Sequence, residues 1–378
     1  MKKSALALAV SAALVGFGSA AYADTTLYGS ARVSVDYDEN DSIYSLEFPP
    51  GSPPGAHGQL VRRVPGSDVW DMVDNTSRLG VRGEEDLGGG LSAVYQYEFG
   101  VDTTEGGNFS SSPNRPKLVG LKGNSWGSVT LGTHWTPYYN VVGIGDIFNS
   151  KKMFDRYTYL GDAFGLRENN SLLYTSPNWS GFGFQAMLVI NGTGNQGAAT
   201  STAVNSLGNV SDDIDLWNIA ATYKNGPFFV GATYMSTNNS NDLTNQFGDV
   251  FDDRDQWGAA FGWTGGAFGV TLSYENGDLN NLYFEKSEAY YLTGSYAFGN
   301  NVIRASYGYI STDDSEFLVV TPTAATLIEQ PDIQSFGLGY QYNFSKRTRV
   351  FVEYVGKDFD SDLGGDRQTI SIGTRHDF

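Results

Sequence analysis

The sequence predicts an all-β fold, a transmembrane antiparallel up-and-down β-barrel of sixteen strands. Three observations carry that prediction. Side chains alternate with period two in sixteen separate segments, tight turns alternate with long connections between them, and ionised groups avoid the centres of one of the two phases.

The chain opens with Lys2 and Lys3, an apolar run from Ala5 to Phe17 and the small-residue pattern Ala21, Tyr22, Ala23. That is the layout of a secretory signal peptide. Residues 1–23 are therefore set apart, and residues 24–378 are read as one barrel exported through the secretory pathway. After Ala23 no run of about twenty apolar residues could form a membrane-crossing helix. Strands can still cross, because a closed barrel satisfies its own backbone groups in lipid.

From Leu27 to Tyr37, the side chains of Leu27, Gly29, Ala31, Val33, Val35 and Tyr37 oppose those of Tyr28, Ser30, Arg32, Ser34 and Asp36. From Leu91 to Phe99, Leu91, Ala93, Tyr95, Tyr97 and Phe99 oppose Ser92, Val94, Gln96 and Glu98. Comparable strands lie near Ser77, Lys117, Ser128, Asn169, Phe182, Leu216, Phe228, Gln256, Phe268, Ala289, Asn301, Ser335, Thr348 and Gln368. Each approaches the roughly 9–11 residues that a tilted strand needs to cross the hydrocarbon layer.

Tight turns are expected at Asp86 to Gly90, Gly123 to Gly127, Pro177 to Gly181, Asn225 to Pro227, Thr264 to Ala267, Gly299 to Asn301 and Asn343 to Arg347. Long connections are expected at Glu39 to Asp74, Trp135 to Leu166, Ile190 to Asp213 and Ser311 to Asp332. This alternation is the mark of periplasmic turns and extracellular loops. The first long connection carries Pro49-Pro50-Gly51-Ser52-Pro53-Pro54 and is read as exposed and without regular structure.

On the outward phase, aromatic side chains such as Phe182, Trp217, Phe228, Trp257, Phe268, Tyr296 and Tyr340 crowd the seventh to fifteenth strands. The first five strands offer mainly Gly29, Ala31, Val33, Leu79, Val81, Ala93, Val119, Leu121, Val129 and Leu131. An arc of small and aliphatic residues is expected to be covered by protein, which makes the barrel a cyclic oligomer, in the simplest closed case a homotrimer.

Acidic residues outnumber basic ones 42 to 24, a formal charge of −18. That disfavours nucleic acid as a partner and favours cations near the surface. Cysteine is absent, which excludes disulfides, thiolate metal sites and a cysteine nucleophile. The three histidines, His57, His134 and His376, sit in no nucleophile-elbow or metal-protease motif, so an enzyme is not expected. No cofactor is expected, although the clusters Asp212 to Asp215 and Asp249 to Asp255 are candidate Ca²⁺ or Mg²⁺ sites, or bridges to lipopolysaccharide phosphates.

Several stretches resemble the general porins of Gram-negative outer membranes, which are sixteen-stranded trimers. They are the run from Ser77 to Gly88, Val119-Gly120-Leu121-Lys122-Gly123, Gly127-Ser128-Val129-Thr130-Leu131-Gly132, Asn169-Asn170-Ser171 with Tyr174 and Ser176-Pro177, and Gly373-Thr374-Arg375-His376-Asp377-Phe378. In this order they span the mature chain. The resemblance implies an outer-membrane channel for passive diffusion of ions and small hydrophilic solutes. It further implies that the third long loop, Trp135 to about Leu166, folds into the lumen as a constriction. Phe378 resembles the family's terminal signal for the barrel-assembly machinery. After Leu131-Gly132 many relatives carry arginine where Thr133 and His134 stand here, so one wall cation is expected to be missing.

By strand phase the lumen receives Arg32, Arg78, Arg82, Arg167, Arg304, Arg349 and Arg375, facing Glu98, Glu275, Glu353 and the acids of the third loop. Arg32, Arg78, Arg82 and Arg167 are the candidate basic residues of the constriction, and Asp146 and Asp155 the acidic ones. Each arginine has a second reading as a wall ion pair. The charged groups of the third loop cancel, so acidic groups elsewhere point to a modest cation preference. Aromatic residues of that loop, Trp135, Tyr138 and Tyr139 among them, keep an oligosaccharide-specific channel open as the alternative.

Overall fold

A computed structural model describes residues 24–41, 43–47, 58–106, 115–152, 166–190, 214–237, 254–277, 287–312, 316–320, 325–329, 332–360 and 365–378. In chain order the strands are β1 (Asp24–Asn40), β2 (Ile43–Glu47), β3 (Gly58–Val64), β4 (Ser67–Asp74), β5 (Arg78–Gly88), β6 (Leu91–Gly100), β7 (Lys117–Gly123), β8 (Gly127–Trp135), β9 (Arg167–Thr175) and β10 (Phe182–Val189). They continue as β11 (Leu216–Asn225), β12 (Phe228–Thr237), β13 (Arg254–Gly265), β14 (Phe268–Gly277), β15 (Ser287–Phe298), β16 (Asn301–Thr312), β17 (Glu316–Val320), β18 (Ala325–Glu329), β19 (Ile333–Asn343), β20 (Thr348–Phe359) and β21 (Arg367–Asp377). Among the described residues a helix, α1 (Pro137–Val142), follows β8.

Each wall strand pairs antiparallel with the next, from β5 through β16 and then β19, β20 and β21. β21 pairs back onto β1, so the sheet closes. On its other side β1 pairs with β5 over Asp24 to Ser30 and with β4 over Val33 to Asn40. β4 and β5 thus share one position in the wall, interrupted at Asn75 to Ser77, where Thr76 takes a φ of 62°. The result is the expected sixteen-position barrel, and all the expected tight turns join strands.

Burial is inverted relative to a water-soluble protein. Leu27, Leu121, Leu131, Val230, Leu272, Leu292, Leu338 and Ile372 are exposed on the outside, while Ser30, Ser34, Asn218, Gln256, Glu275, Glu353, Thr369 and Ser371 are buried on the inside. Lipid tolerates the first set, and the backbone needs nothing from it because every central strand is bonded on both edges. At the seam, Phe378 and Gly29 exchange backbone hydrogen bonds of 3.1 and 3.0 Å. A β-carbon on Gly29 would overlap the Phe378 ring.

Two connections differ from the expectation. The segment from Glu39 to Asp74 is not without regular structure: β1 runs to Asn40, β2 pairs with β3, and β4 extends the wall. Its prolines at 49, 50, 53 and 54 lie outside the described residues. The connection from Ser311 to Asp332 carries the hairpin β17–β18, and β17 joins β3 in parallel, giving a four-stranded sheet in the order β18-β17-β3-β2. Composition missed this because the pairing is between segments more than 250 residues apart, which local pattern does not encode. The signal peptide at 1–23, most of the loop from Ile190 to Asp213, and Asp155 lie outside the described residues.

Candidate functional site

The segment after β8 turns sharply because Thr136 caps α1, its hydroxyl accepting from the Tyr139 N–H at 3.1 Å, and Pro137 opens the helix. The helix buries Tyr138, Val141 and Val142. They join one apolar cluster with Met187, Leu216, Met235, Ala260 and Tyr291. These wall residues belong to the inward phase, where polar side chains are the rule. The wall also makes room: a β-carbon on Gly258 would come within 2.5 Å of Val142, and one on Gly231 within 3.0 Å of Val141.

Polar contacts fix both ends of the segment. At the near end Asn218 accepts from the Tyr138 N–H at 2.7 Å, and the Tyr138 hydroxyl donates to Glu275 at 2.8 Å while accepting from Gln256 at 2.7 Å. At the far end Glu353 accepts from the backbone N–H groups of Asn149 and Ser150, at 2.9 and 2.8 Å, and from the Asn149 side chain at 3.0 Å. Ser150 bonds Ser371 at 2.9 Å, Lys151 N donates to the Asn75 side chain at 2.6 Å, and Lys152 pairs with Asp38 at 2.6 Å. The break between β4 and β5 is what frees Asn75 for this contact. Charge-assisted bonds of this kind contribute about 1.5–3 kcal/mol each where water is excluded.

Asp146 lies between these anchored ends, exposed, after the short turn Gly143–Gly145. Facing it is a basic wall. Arg167, Arg115, Arg78, Arg32, Arg375, Arg349 and Arg304 form a series in which each lies within electrostatic reach of the next. Three of them, Arg32, Arg375 and Arg349, stand in register on adjacent strands. Among the described residues the series is ion-paired only by Glu98, which bridges Arg78 at 3.8 Å and Arg115 at 3.2 Å, and by Asp377, which bridges Arg349 and Arg375 at 2.5 and 2.9 Å.

Four of the six expected constriction residues come together: Arg32, Arg78, Arg167 and Asp146. Arg78 does so as a wall ion pair. Arg82 does not; it lies over the Tyr28 ring at 5.2 Å, in register with Thr26, nearer the short-turn end of the barrel. The sequence reading missed Arg115, which precedes β7 in a connection where strand phase gives no direction. At Thr133 the hydroxyl bonds the Asn169 side chain at 2.9 Å, and on the next strand Arg167 stacks over Trp135 at 4.5 Å. His134 is buried between Ser171 and Thr130, at 2.7 and 2.8 Å, a packing role. Among the described residues no group of three or more His, Asp or Glu could hold a metal ion; Asp212, Asp213, Asp249, Asp252 and Asp253 lie outside them.

A family model described as Gram-negative porin matches residues 7–362. An outer membrane porin protein of Bordetella pertussis is 29% identical over 264 residues, which are 64% of this chain and 61% of the relative, so the match spans somewhat under two thirds of that protein. Among solved structures, an anion-selective porin from Comamonas acidovorans superposes with a TM-score of 0.62 at 19% identity, covering 94% of this chain and all of the other. OmpT, an outer membrane protein of Vibrio cholerae, in its trimer form, gives 0.58 at 16% identity, covering 94% and 99%. At these identities the two structures speak for the fold.

Proposed function

The chain belongs to the Gram-negative porin family, and from that premise we propose that it forms a water-filled outer-membrane channel for passive diffusion, narrowed inside the barrel by residues 136–152. The contacts of Tyr138, Asn149 and Ser150 with inward-facing Asn218, Glu275 and Glu353 support that placement. Opposed charges across a narrow, wet passage make a transverse field, which admits hydrated ions and dipolar solutes and disfavours apolar ones.

One observation carries the selectivity. Seven arginines form one series along the wall; against them stand Glu98 and Asp377 in ion pairs, with Glu353, Asp74 and the exposed Asp146 within electrostatic reach, five carboxylates among the described residues. The narrow region therefore holds excess positive charge, and anions are favoured there. The cation preference expected from the acidic loops rests mostly on groups outside the described residues, and beyond about 8 Å their charges are screened at physiological salt. The similar structure from Comamonas acidovorans is that of an anion-selective porin, which is consistent with this reading. The reversal potential of a reconstituted membrane under a KCl gradient tests it: a potential of the sign set by chloride is expected, and one set by potassium would restore the cation reading.

An oligosaccharide track is less favoured, because Trp135 is already engaged by Arg167 and by Tyr139, and Tyr138 is buried against the wall. The outward arc of small and aliphatic residues on β1 and β5 to β8, interrupted on β6 by the exposed Tyr97 and Phe99, supports assembly as a homotrimer. Phe378 is proposed as the terminus read by the assembly machinery, and lipid and lipopolysaccharide as the surroundings of the aromatic arc.

A further inference from the structure

Trp135, Tyr139 and Asp146 form a connected column that begins at Arg167. The guanidinium lies 4.5 Å from the centre of the Trp135 ring, and the Tyr139 ring stacks on Trp135 at 4.5 Å with 20° between planes. The Tyr139 hydroxyl then donates to the Asp146 carboxylate at 3.0 Å. Asp146 feels the charges of Arg32 and Arg375, yet among the described residues it forms an ion pair with neither. Further along the same arginine series Arg32 is held by the Ser30 hydroxyl at 2.7 Å, and Arg375 by Asp377 at 2.9 Å.

Resting on the channel reading above, we propose that Tyr139 is a positioning residue that holds Asp146 apart from Arg32 and Arg375, keeping the opposed charges separated across the passage. Charges separated across water attract weakly, whereas a hydrogen bond to a charged acceptor is short and directional. Asp146 follows the packed Gly143–Gly145 turn but is itself exposed, so its carboxylate can change rotamer without unpacking Ile144 or Gly145. Without the hydroxyl, the carboxylate is free to swing to the arginines and pair with them. The excess wall charge would then be neutralised and the opening narrowed by the same movement. The stack on Trp135 fixes where the hydroxyl sits, so the column ties the position of an acidic group on the loop to a residue of the wall.

The test compares the whole protein with Tyr139→Phe, Asp146→Asn and the double variant in planar bilayers, reading reversal potential in a KCl gradient and single-channel conductance. Heat-modifiable mobility in detergent checks that each barrel is folded. Tyr139→Phe keeps the ring stack and is expected to lower conductance and reduce charge preference. Asp146→Asn is expected to shift the reversal potential further toward chloride, and the double variant to match Asp146→Asn alone, since no carboxylate is left to release. If Asp146→Asn shifts selectivity while Tyr139→Phe changes neither readout, or if Tyr139→Phe has the same effect in both backgrounds, the positioning role is overturned and the channel reading stands. If Asp146→Asn shifts nothing, both the positioning role and the transverse field are overturned.

Discussion

Glu353 holds Asn149 by three hydrogen bonds, two from its backbone N–H at 2.9 and 3.1 Å and one from its side chain at 3.0 Å. The two residues are 204 positions apart in sequence. Through this carboxylate the far side of the barrel grips the segment that began at Thr136. Glu353→Ala leaves the two Asn149 donors and the Ser150 N–H without their acceptor, and each buried orphan costs about 1–3 kcal/mol. The variant is expected to form a folded barrel with noisier single-channel current and a lower temperature of heat-modified mobility. Quiet, wild-type current would show that Glu353 is not the anchor.

The inverted burial makes a second expectation. Leu272 sits mid-strand on the outward face, 45% exposed, so Leu272→Arg puts a charge in the hydrocarbon at a cost of about 2–4 kcal/mol. Thr271→Arg, one residue along and facing inward, is expected to cost far less. Urea titration of both variants in lipid vesicles measures the difference; equal losses would mean that the outer face is not in lipid.

At the seam, Gly29 has no room for a side chain beneath Phe378. Gly29→Val is expected to displace the terminal ring and lower the yield of folded barrel in the outer membrane, with the effect of deleting Phe378 no larger when added to it. Unchanged yield in the Gly29→Val variant would show that the packing of Phe378 on β1 is dispensable.

The pairing of β3 with β17 offers a geometric check. Gly58 and Val319 are cross-strand partners, and the natural chain contains no cysteine to interfere. Gly58→Cys with Val319→Cys is expected to form a disulfide on mild oxidation, seen as a mobility shift reversed by reductant. Absence of the crosslink under conditions that oxidise a control pair on β19 and β20 would place the two hairpins apart.

The wall is legible in the sequence because its code is local. Period-two alternation, Gly-rich turns and the absence of charge at positions such as Leu131 and Leu272 each state which face a residue takes, and the barrel follows from their sum. The site is legible only where strand phase reaches. Arg32 and Arg167 lie on strands and take the inward face that phase dictates, whereas Arg115 lies before β7 and has no phase to read. One further signal is present in the sequence: Met187, Leu216 and Met235 are apolar on a face that should be polar, and α1 is what covers them. The roles of Asn75 and Glu353 depend on a break in one strand and a contact across the barrel, neither of which has a local pattern. The pairing of β3 with β17 is hidden for the same reason.

Single-channel recording of the purified, detergent-folded protein in a planar bilayer tests the central claim most directly. A water-filled passage is expected to give discrete steps whose conductance rises in proportion to bulk KCl concentration. A barrel that inserts without steps, or whose conductance saturates at low salt as a tight binding site would require, would contradict the account.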